Sequence, residues 1–168
     1  YNLTKHGNRK VIFILGKGRL LNQSIVSKKP NALFCEAACP VKIIEIAEEH
    51  FLHLMEQSPA LTRAVLREYG RNLWRMSHQL KNTTGNMQME RKIAAKLWKL
   101  GRDFGVDTED GVMIDIDLTI TLMADLVGAP RENVSRACKV LTDRGLIRYG
   151  NKRFILTDSD GLAEFYKM

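Results

Sequence analysis

Residues 119–153 decide the fold, and they read Thr-Ile-Thr-Leu-Met-Ala-Asp-Leu-Val-Gly-Ala-Pro-Arg-Glu-Asn-Val-Ser-Arg-Ala-Cys-Lys-Val-Leu-Thr-Asp-Arg-Gly-Leu-Ile-Arg-Tyr-Gly-Asn-Lys-Arg. Leu122, Leu126 and Val127 recur at helical spacing, so the start of this stretch can bury one face of a helix. Gly128 then ends the helix, because glycine adopts the backbone conformation in which the chain can reverse. This arrangement predicts the first helix and the turn of a helix-turn-helix.

A second helix is predicted after Pro130, which has no N–H to lose in a first turn. Its apolar face comprises Val134, Ala137, Cys138 and Leu141, and its polar face comprises Arg131, Glu132, Ser135, Arg136 and Lys139. Two short strands are expected at residues 146–149 and 153–156, around the hairpin pair Gly150-Asn151. The pattern therefore predicts a winged helix-turn-helix, whose second helix fits the major groove of DNA.

The charges in this part of the chain are unevenly distributed. Residues 130–153 include seven basic and two acidic residues, whereas residues 103–125 include seven acidic and no basic residues. The net charge of the whole chain is +7, and the sequence pI is about 9.5. Because the basic residues lie on the proposed reading unit, the pattern favours double-stranded DNA as a partner. A solvated amphipathic helical hairpin is the alternative interpretation.

Length and composition restrict the remaining possibilities. The 168 residues, 45% of them hydrophobic, suffice for one large or two small domains. The longest early apolar run, residues 11–15, is too short to span a bilayer, and nothing resembles a signal peptide, so no membrane partner is expected. Cys35, Cys39 and Cys138 lack metal-ligand spacing, which predicts no metal, no cofactor and a reducing, cytoplasmic setting. A redox or metal cluster of the three is the less favoured alternative.

The N-terminal third of the chain is β-like. Its expected elements are strands at residues 9–15, 33–37 and 41–46 and a short helix at residues 48–57. The chain begins at Tyr1, without a methionine and within a strand-like run. We therefore expect an N-terminal portion of this region to be missing.

A long helix is predicted from Pro59 to about Thr84. Along one side, spacings of three and four residues alternate and form a heptad seam of Leu66, Tyr69, Leu73, Met76, Leu80 and Thr83. Such a seam needs a partner helix, and its length favours a homodimer over packing within one chain. Another side has the basic stripe Arg63, Arg67, Arg71 and Arg75. The stripe is typical of a solvated face, with contact to DNA or a ligand as the alternative.

The segment after this helix predicts a hinge and then the DNA-binding domain. Residues 82–86 include Thr-Thr-Gly, which favours a flexible connection. The expected elements beyond it are a helix at residues 87–104, a strand at residues 112–116 and a final helix at residues 159–167 that Asp158 caps. Residues 59–85 are thus predicted to be a dimerisation helix with its hinge, and residues 86–168 the winged-helix domain.

The order of these parts resembles the cyclic-AMP receptor protein and fumarate–nitrate reduction regulator superfamily of bacterial transcription factors, the Crp–Fnr superfamily. The resemblance covers almost the whole chain and is strongest at residues 126–136 and 141–147. For the first of these the family writes Gly-x-Ser-Arg-Glu-Thr-Val-Ser/Gly-Arg, and the matching residues are Arg131, Glu132, Val134, Ser135 and Arg136. Asn133 replaces the Thr, and Pro130 replaces the Ser, so that a hydroxyl able to contact a phosphate is lost.

The resemblance implies an α+β fold, with a partial N-terminal β-roll of jelly-roll type, a long dimerisation helix and a C-terminal winged helix-turn-helix. Residues 1–58 would then be the C-terminal part of the β-roll effector domain. The implied partners are a palindromic DNA site, a second copy of the chain, a small-molecule effector and RNA polymerase. Two-fold symmetry would place the two half-sites about 34 Å apart.

The resemblance also implies which side chains contact DNA. The predicted DNA-binding set comprises Thr119, Thr121, Arg131, Glu132, Ser135, Arg136 and Lys139. Glu132 and Arg136 would read base edges, because glutamate can accept from cytosine N4 and arginine can pair bidentately with guanine. Arg131 or Ser135 would tune which bases are chosen. The two threonines would contact phosphates, which position the protein without specifying a sequence.

The sensor half departs from the family pattern. Asn22-Gln23 stands where cyclic-nucleotide binders have Gly-Glu, and Asn31-Ala32 stands near the place of Arg-Ser. A bound phosphate needs such a cation or a ring of amides, so cyclic AMP is not expected as the effector. Polar residues midway along the long helix reach the effector in the family. The effector-binding candidates are therefore Asn22, Gln23, Ser77 and His78, with polarity beside the seam as the alternative for the last two.

Two other functional classes are less consistent with the sequence. An enzyme is not expected, because no nucleophile–base pair, metal spacing or phosphate loop is recognisable, and Gly16-Lys-Gly18 is too short for a P-loop. A winged-helix module that binds protein without reading DNA is the alternative function. The presence of Arg131, Glu132 and Arg136 at reading positions argues against it.

Overall fold

The computed structural model describes residues 1–5, 7–21, 33–81 and 87–167. Outside the described residues lie the sensor positions Asn22, Gln23, Asn31 and Ala32, the seam residue Thr83 and the expected hinge at residues 82–86. The chain divides into two compact units, one of Tyr1–Ile14 with Asn86–Met168 and one of Leu15–Gly85. None of the described helices is long and apolar enough to cross a membrane.

The elements confirm the α+β class. In chain order, the helices are α1 (Glu48–Gln57), α2 (Pro59–Lys81), α3 (Met89–Phe104), α4 (Ile120–Val127), α5 (Arg131–Asp143) and α6 (Ser159–Lys167). The strands are β1 (Asn2–Leu3), β2 (Arg9–Lys10), β3 (Gly105–Thr108), β4 (Gly111–Ile114), β5 (Ile147–Gly150) and β6 (Arg153–Leu156). Both α1 and α6 have the predicted bounds. Asp158 accepts the Gly161 N–H at 2.8 Å, as expected of a helix cap.

The first unit contains an antiparallel four-stranded sheet in the order β3–β4–β6–β5. In the wing formed by β5 and β6, Gly150 pairs with Arg153, so the turn residues are Asn151 and Lys152, with φ of 50° and 59°. The turn thus lies one residue later than predicted, because a tight hairpin of this twist needs positive φ at both central residues. The sequence does not predict β3, since all four of its residues are exposed and no apolar–polar alternation marks it.

The helices of the first unit and its sheet enclose a single hydrophobic core. The fully buried side chains include Ile93, Leu97, Ile114, Leu118, Met123, Leu141, Ile147, Phe154 and Leu162. Truncating such a side chain to alanine costs about 2–5 kcal/mol. The core therefore fixes α4 and α5 relative to the sheet.

The hairpin of β1 and β2 packs against α4. Val11 is only 4% exposed and lies in the core, and its N–H donates to the Asp125 carbonyl at 3.1 Å. The Lys10 ammonium donates to the Leu126 carbonyl at 3.0 Å. Both contacts satisfy carbonyls at the C-terminal end of α4 that have no partner within the helix. The strand expected at residues 9–15 is therefore confined to β2, because the backbone of Val11 bonds to α4 instead.

In the second unit, α1 and α2 are joined closely at Ser58. The Thr62 hydroxyl donates to the Met55 carbonyl at 2.6 Å, which links the start of α2 to the end of α1. The strands expected at residues 33–37 and 41–46 are not formed, and both stretches are irregular. Apolar β-branched residues favour a strand only where a neighbouring strand pairs with them. No segment among the described residues of this unit pairs with them.

One side of α2 is covered. Val65 and Asn72 are buried there, and the largely buried Glu68 carboxylate pairs with Arg19 at 2.7 Å and with Arg71 at 3.4 Å. Arg71 belongs to the predicted basic stripe, so part of that stripe is bound within the chain.

The seam side of α2 is open. Leu66, Leu73 and Met76 are 63%, 67% and 44% exposed, and Tyr69 is half-buried. The described part of the chain therefore leaves these apolar side chains uncovered. The side chains of the last two predicted seam positions, Leu80 and Thr83, lie outside the described part.

Candidate nucleic-acid interface

The first helix of the motif begins at a capping threonine. The Thr119 hydroxyl oxygen accepts the Leu122 N–H at 3.0 Å, which satisfies one of the open donors at the start of α4. A hydroxyl that accepts one hydrogen bond can still donate its own hydrogen to a phosphate oxygen. Thr121, the second predicted phosphate contact, is exposed two residues later. The structure is thus compatible with phosphate contacts from both threonines.

The turn of the motif depends on Gly128, whose φ of 72° and ψ of 49° lie in the left-handed region. Its N–H donates to the Ala124 carbonyl at 2.7 Å, and the Ala129 N–H donates to the same oxygen at 3.2 Å. This pairing closes α4 as a glycine C-cap does. Pro130 follows, and its carbonyl accepts the Val134 N–H at 3.2 Å. Backbone hydrogen bonds therefore hold both the end of α4 and the start of α5.

The two predicted faces of α5 are present. Its buried residues are Val134, Ala137, Cys138 and Leu141. The residues predicted to meet DNA are all exposed, and they are Arg131, Glu132, Ser135, Arg136 and Lys139. Glu132 lies in the first turn, where the helix dipole stabilises a carboxylate. The structure thus brings the five predicted residues of this helix onto one accessible surface.

Arg136 is held by its own helix. Its Nη2 donates to the Asn133 side-chain oxygen at 2.5 Å, and its Nε donates to the Glu132 carbonyl at 3.4 Å. The sequence predicts no role for Asn133. The sequence feature that could have indicated this contact is the spacing of three residues between Asn133 and Arg136, which makes their side chains neighbours on a helix surface.

The wing is less basic than its sequence indicates. Its ion pairs are Arg148–Asp110, Arg153–Asp115 and, at 3.6 Å, Arg153–Asp117. These aspartates belong to the acidic stretch that precedes the motif in sequence. Lys152, in contrast, is exposed at the tip of the wing. The basic surface is therefore concentrated on α5 and at the wing tip.

Two titratable groups near the motif have shifted pKa values. Burial raises the pKa of the Cys138 thiol to about 11, from 9.0. The thiolate is therefore suppressed at neutral pH, and Cys138 serves in packing. Burial lowers the pKa of the Lys10 ammonium at the end of α4, and the neighbouring charge of Lys92 lowers it further.

Comparison with known proteins agrees with this geometry. Residues 91–165 match the family of Crp-like helix-turn-helix domains. The chain is 25% identical over 158 residues to a CRP-like cAMP-activated global transcriptional regulator of Mycobacterium tuberculosis, an alignment covering 94% of this chain and 70% of that protein. It is 26% identical over 117 residues to the global nitrogen regulator of Nostoc sp., covering 70% of this chain and 52% of that protein.

Solved structures show the same fold. A CooA variant from Carboxydothermus hydrogenoformans gives a TM-score of 0.65 at 19% identity, over 70% of this chain and 54% of that one. A CRP/FNR-family regulator from Thermus thermophilus gives a TM-score of 0.58 at 23% identity, over 66% of this chain and 56% of that one. The chain matches the Crp-like helix-turn-helix family over residues 91–165 and shares its fold with these solved structures. It spans just over half the length of these solved structures.

The metal prediction concerns the three cysteines of the chain. Cys35 and Cys39 are exposed, whereas Cys138 is buried in α5. Within the described ranges, no three side chains of His, Cys, Asp or Glu are grouped so that they could hold a metal ion.

The predicted effector-binding residues are partly described. Ser77 and His78 are exposed on α2, and each donates a hydrogen bond at 3.0 Å to the carbonyl one turn earlier. The His78 ring also lies on Trp74, with 3.7 Å between ring centroids. Asn22 and Gln23 lie outside the described residues, so the grouping of these four side chains stays a prediction.

Proposed function

We propose that the chain is a homodimeric, effector-responsive, sequence-specific DNA-binding transcription regulator. The observation that carries the proposal is the exposed face of α5, where three cationic side chains accompany Glu132 and Ser135 on a rigidly held helix. The relatives named above are transcriptional regulators, and the matched domain is a helix-turn-helix. A positively charged helix at the surface of such a unit suits the major groove.

The residues of this face divide into base-reading and phosphate-contacting groups. In the proposal, Glu132 accepts from cytosine N4 and Arg136 donates to guanine, while Arg131 and Ser135 adjust the choice of neighbouring bases. Phosphate contacts come from Thr119 and Thr121 at the start of α4 and from Lys139 on α5. Such contacts supply affinity and fix the register, but they do not discriminate between sequences.

Dimerisation is proposed along the open side of α2. Leu66, Leu73 and Met76 expose apolar surface at heptad spacing, with Tyr69 beside them, and Leu80 and Thr83 extend the same pattern in sequence. A second copy of α2 would bury these side chains in a two-stranded coiled coil. Two copies of α5 would then read a palindromic site.

The input of the regulator is proposed to be a small molecule other than cyclic AMP. The M. tuberculosis relative is cAMP-activated, but Asn22-Gln23 and Asn31-Ala32 of this chain lack the carboxylate and the cation of the nucleotide-binding pattern. Asn22, Gln23, Ser77 and His78 are the proposed contacts. RNA polymerase is the proposed protein partner on DNA.

Selection from a pool of randomised palindromic duplexes tests the DNA-reading role. We expect the full chain to enrich one sequence, and Arg136→Ala to lose preference at one position of each half-site by about fivefold or more. Lys139→Ala, the control for a phosphate contact, should weaken binding to all sequences alike and make its salt dependence shallower by about one unit of slope. Duplex binding without sequence preference would contradict the proposal.

A further inference from the structure

Asn133 contacts the arginine that is proposed to read DNA. The Nη2 of Arg136 donates to Oδ1 of Asn133 at 2.5 Å, while Nε donates to the Glu132 carbonyl at 3.4 Å. Asn133 is half-buried, whereas Arg136 is exposed. The less exposed side chain thus holds the more exposed one through this hydrogen bond.

This restraint leaves the arginine able to read a base. The guanidinium has five N–H donors, and these contacts engage one hydrogen of Nη2 and that of Nε. Both hydrogens of Nη1 and the second hydrogen of Nη2 stay available for the two acceptors of a guanine. Fixing a flexible side chain on binding costs free energy, and a side chain that is already ordered loses less.

We propose that Asn133 is a positioning residue for Arg136 and thereby sharpens the base preference of this chain. The inference rests on the proposed function, because it concerns how α5 reads DNA. The family pattern has threonine at this position, and threonine has no amide oxygen at the reach of Oδ1. The restraint is thus a property of this chain's own sequence.

A double-mutant cycle on the full chain tests the inference. The four proteins are the unaltered chain, Asn133→Leu, Arg136→Ala and the double variant. Leucine is close to asparagine in size and lacks the oxygen. The readout is relative binding to palindromic duplexes that differ at one half-site position at a time, with the melting temperature of each protein measured alongside.

We expect Asn133→Leu to reduce the preference at the position read by Arg136 by about twofold to tenfold, the effect of ordering one flexible side chain. The melting temperature should change little, because the contact lies at the surface. In the Arg136→Ala background, Asn133→Leu should alter the preference no further, since the coupling needs both partners.

The outcomes separate this inference from the proposed function. An unchanged preference in Asn133→Leu, or an equal change with and without Arg136, overturns the role of Asn133 and leaves the DNA-reading role intact. Absence of any sequence preference in the unaltered chain overturns both.

Discussion

The two units of the chain use their apolar side chains in different ways. In the winged-helix unit, Ile93, Leu141 and Phe154 have no exposed surface. In the second unit, Ile44 is 87% exposed and Leu73 on α2 is 67% exposed. Burying such a side chain is worth about 1.5–3 kcal/mol, so the first unit is stabilised from within. The second unit retains apolar surface of the kind that marks assembly sites.

The largest expected effect lies in the core of the winged-helix unit. Phe154→Ala removes a fully buried ring and leaves a cavity, so the free energy of unfolding should fall by about 3–5 kcal/mol. The matched control is Ile44→Ala, which should change it by less than about 0.5 kcal/mol because that side chain is exposed. Urea unfolding followed by circular dichroism measures both. Equal losses of unfolding free energy in the two variants would contradict the inferred difference in apolar burial between the units.

Substitutions in the seam of α2 test whether the exposed apolar residues of the second unit form a dimer interface. Leu66→Glu combined with Leu73→Glu would bury two unpaired carboxylates in a dimer, so the dimer dissociation constant should rise by about a hundredfold or more. Sedimentation equilibrium measures this constant. The control, Arg63→Glu with Arg67→Glu, introduces the same residue on a different side of α2 and should have a much smaller effect. Unchanged association in the leucine variant would exclude the seam as the interface.

A smaller effect is expected in the core at alkaline pH. The folded pKa of Cys138 is about 11 and its ordinary value is 9.0, so the unfolded chain loses the thiol proton first. The free energy of unfolding should therefore fall by about 2 kcal/mol between pH 9 and pH 11 through this group. Cys138→Ala has no thiol at this position to titrate. The difference between its free energy of unfolding and that of the unaltered chain should therefore become smaller between pH 9 and pH 11.

Urea unfolding at pH 8 and pH 11 provides the measurement for Cys138. Groups such as Lys10 titrate in both proteins and cancel in the difference. If the difference in unfolding free energy between Cys138→Ala and the unaltered chain is the same at both pH values, the Cys138 thiol of the unaltered chain is not shielded from water.

The smallest expected effect concerns the ion pairs of the wing. Asp115→Asn releases Arg153 from one of its two carboxylate partners, so duplex affinity should rise by about twofold to fivefold and its salt dependence should steepen. The stability change should stay below about 1 kcal/mol, because the pair is partly exposed. Fluorescence anisotropy across a salt series measures the affinity. Glu164→Gln on α6 is the control for loss of one negative charge, and an equal gain there would contradict a local role.

The parts of the fold that local signals determine were predictable from the sequence. The bounds of α1 follow from Ser58-Pro59, which ends one helix and starts the next, and α6 follows from the cap at Asp158. The α4–Gly128–α5 motif is equally local, since its apolar spacing and its glycine lie within one short stretch. The exposure of the five α5 residues that are proposed to contact DNA follows from the same periodicity.

The remaining features depend on contacts between distant parts of the chain. The Lys10–Leu126 hydrogen bond joins residues 116 positions apart, and Arg153–Asp115 joins residues 38 positions apart, so no local pattern indicates either contact. Strand formation at residues 41–46 depends on a pairing strand, which a β-like composition does not provide. The restraint of Arg136 by Asn133 is local, but it depends on rotamers that sequence spacing leaves undetermined.

The spacing dependence of DNA binding by the full chain tests the central claim most directly. If two copies pair along α2 and each presents α5, an inverted repeat with half-site centres about 34 Å apart should bind two chains. We predict that inserting about half a helical turn between the half-sites weakens this binding by at least about tenfold, because the second α5 would then face the wrong side of the duplex. Equal binding at both spacings, or one chain per duplex, would contradict a dimer that reads DNA through α5.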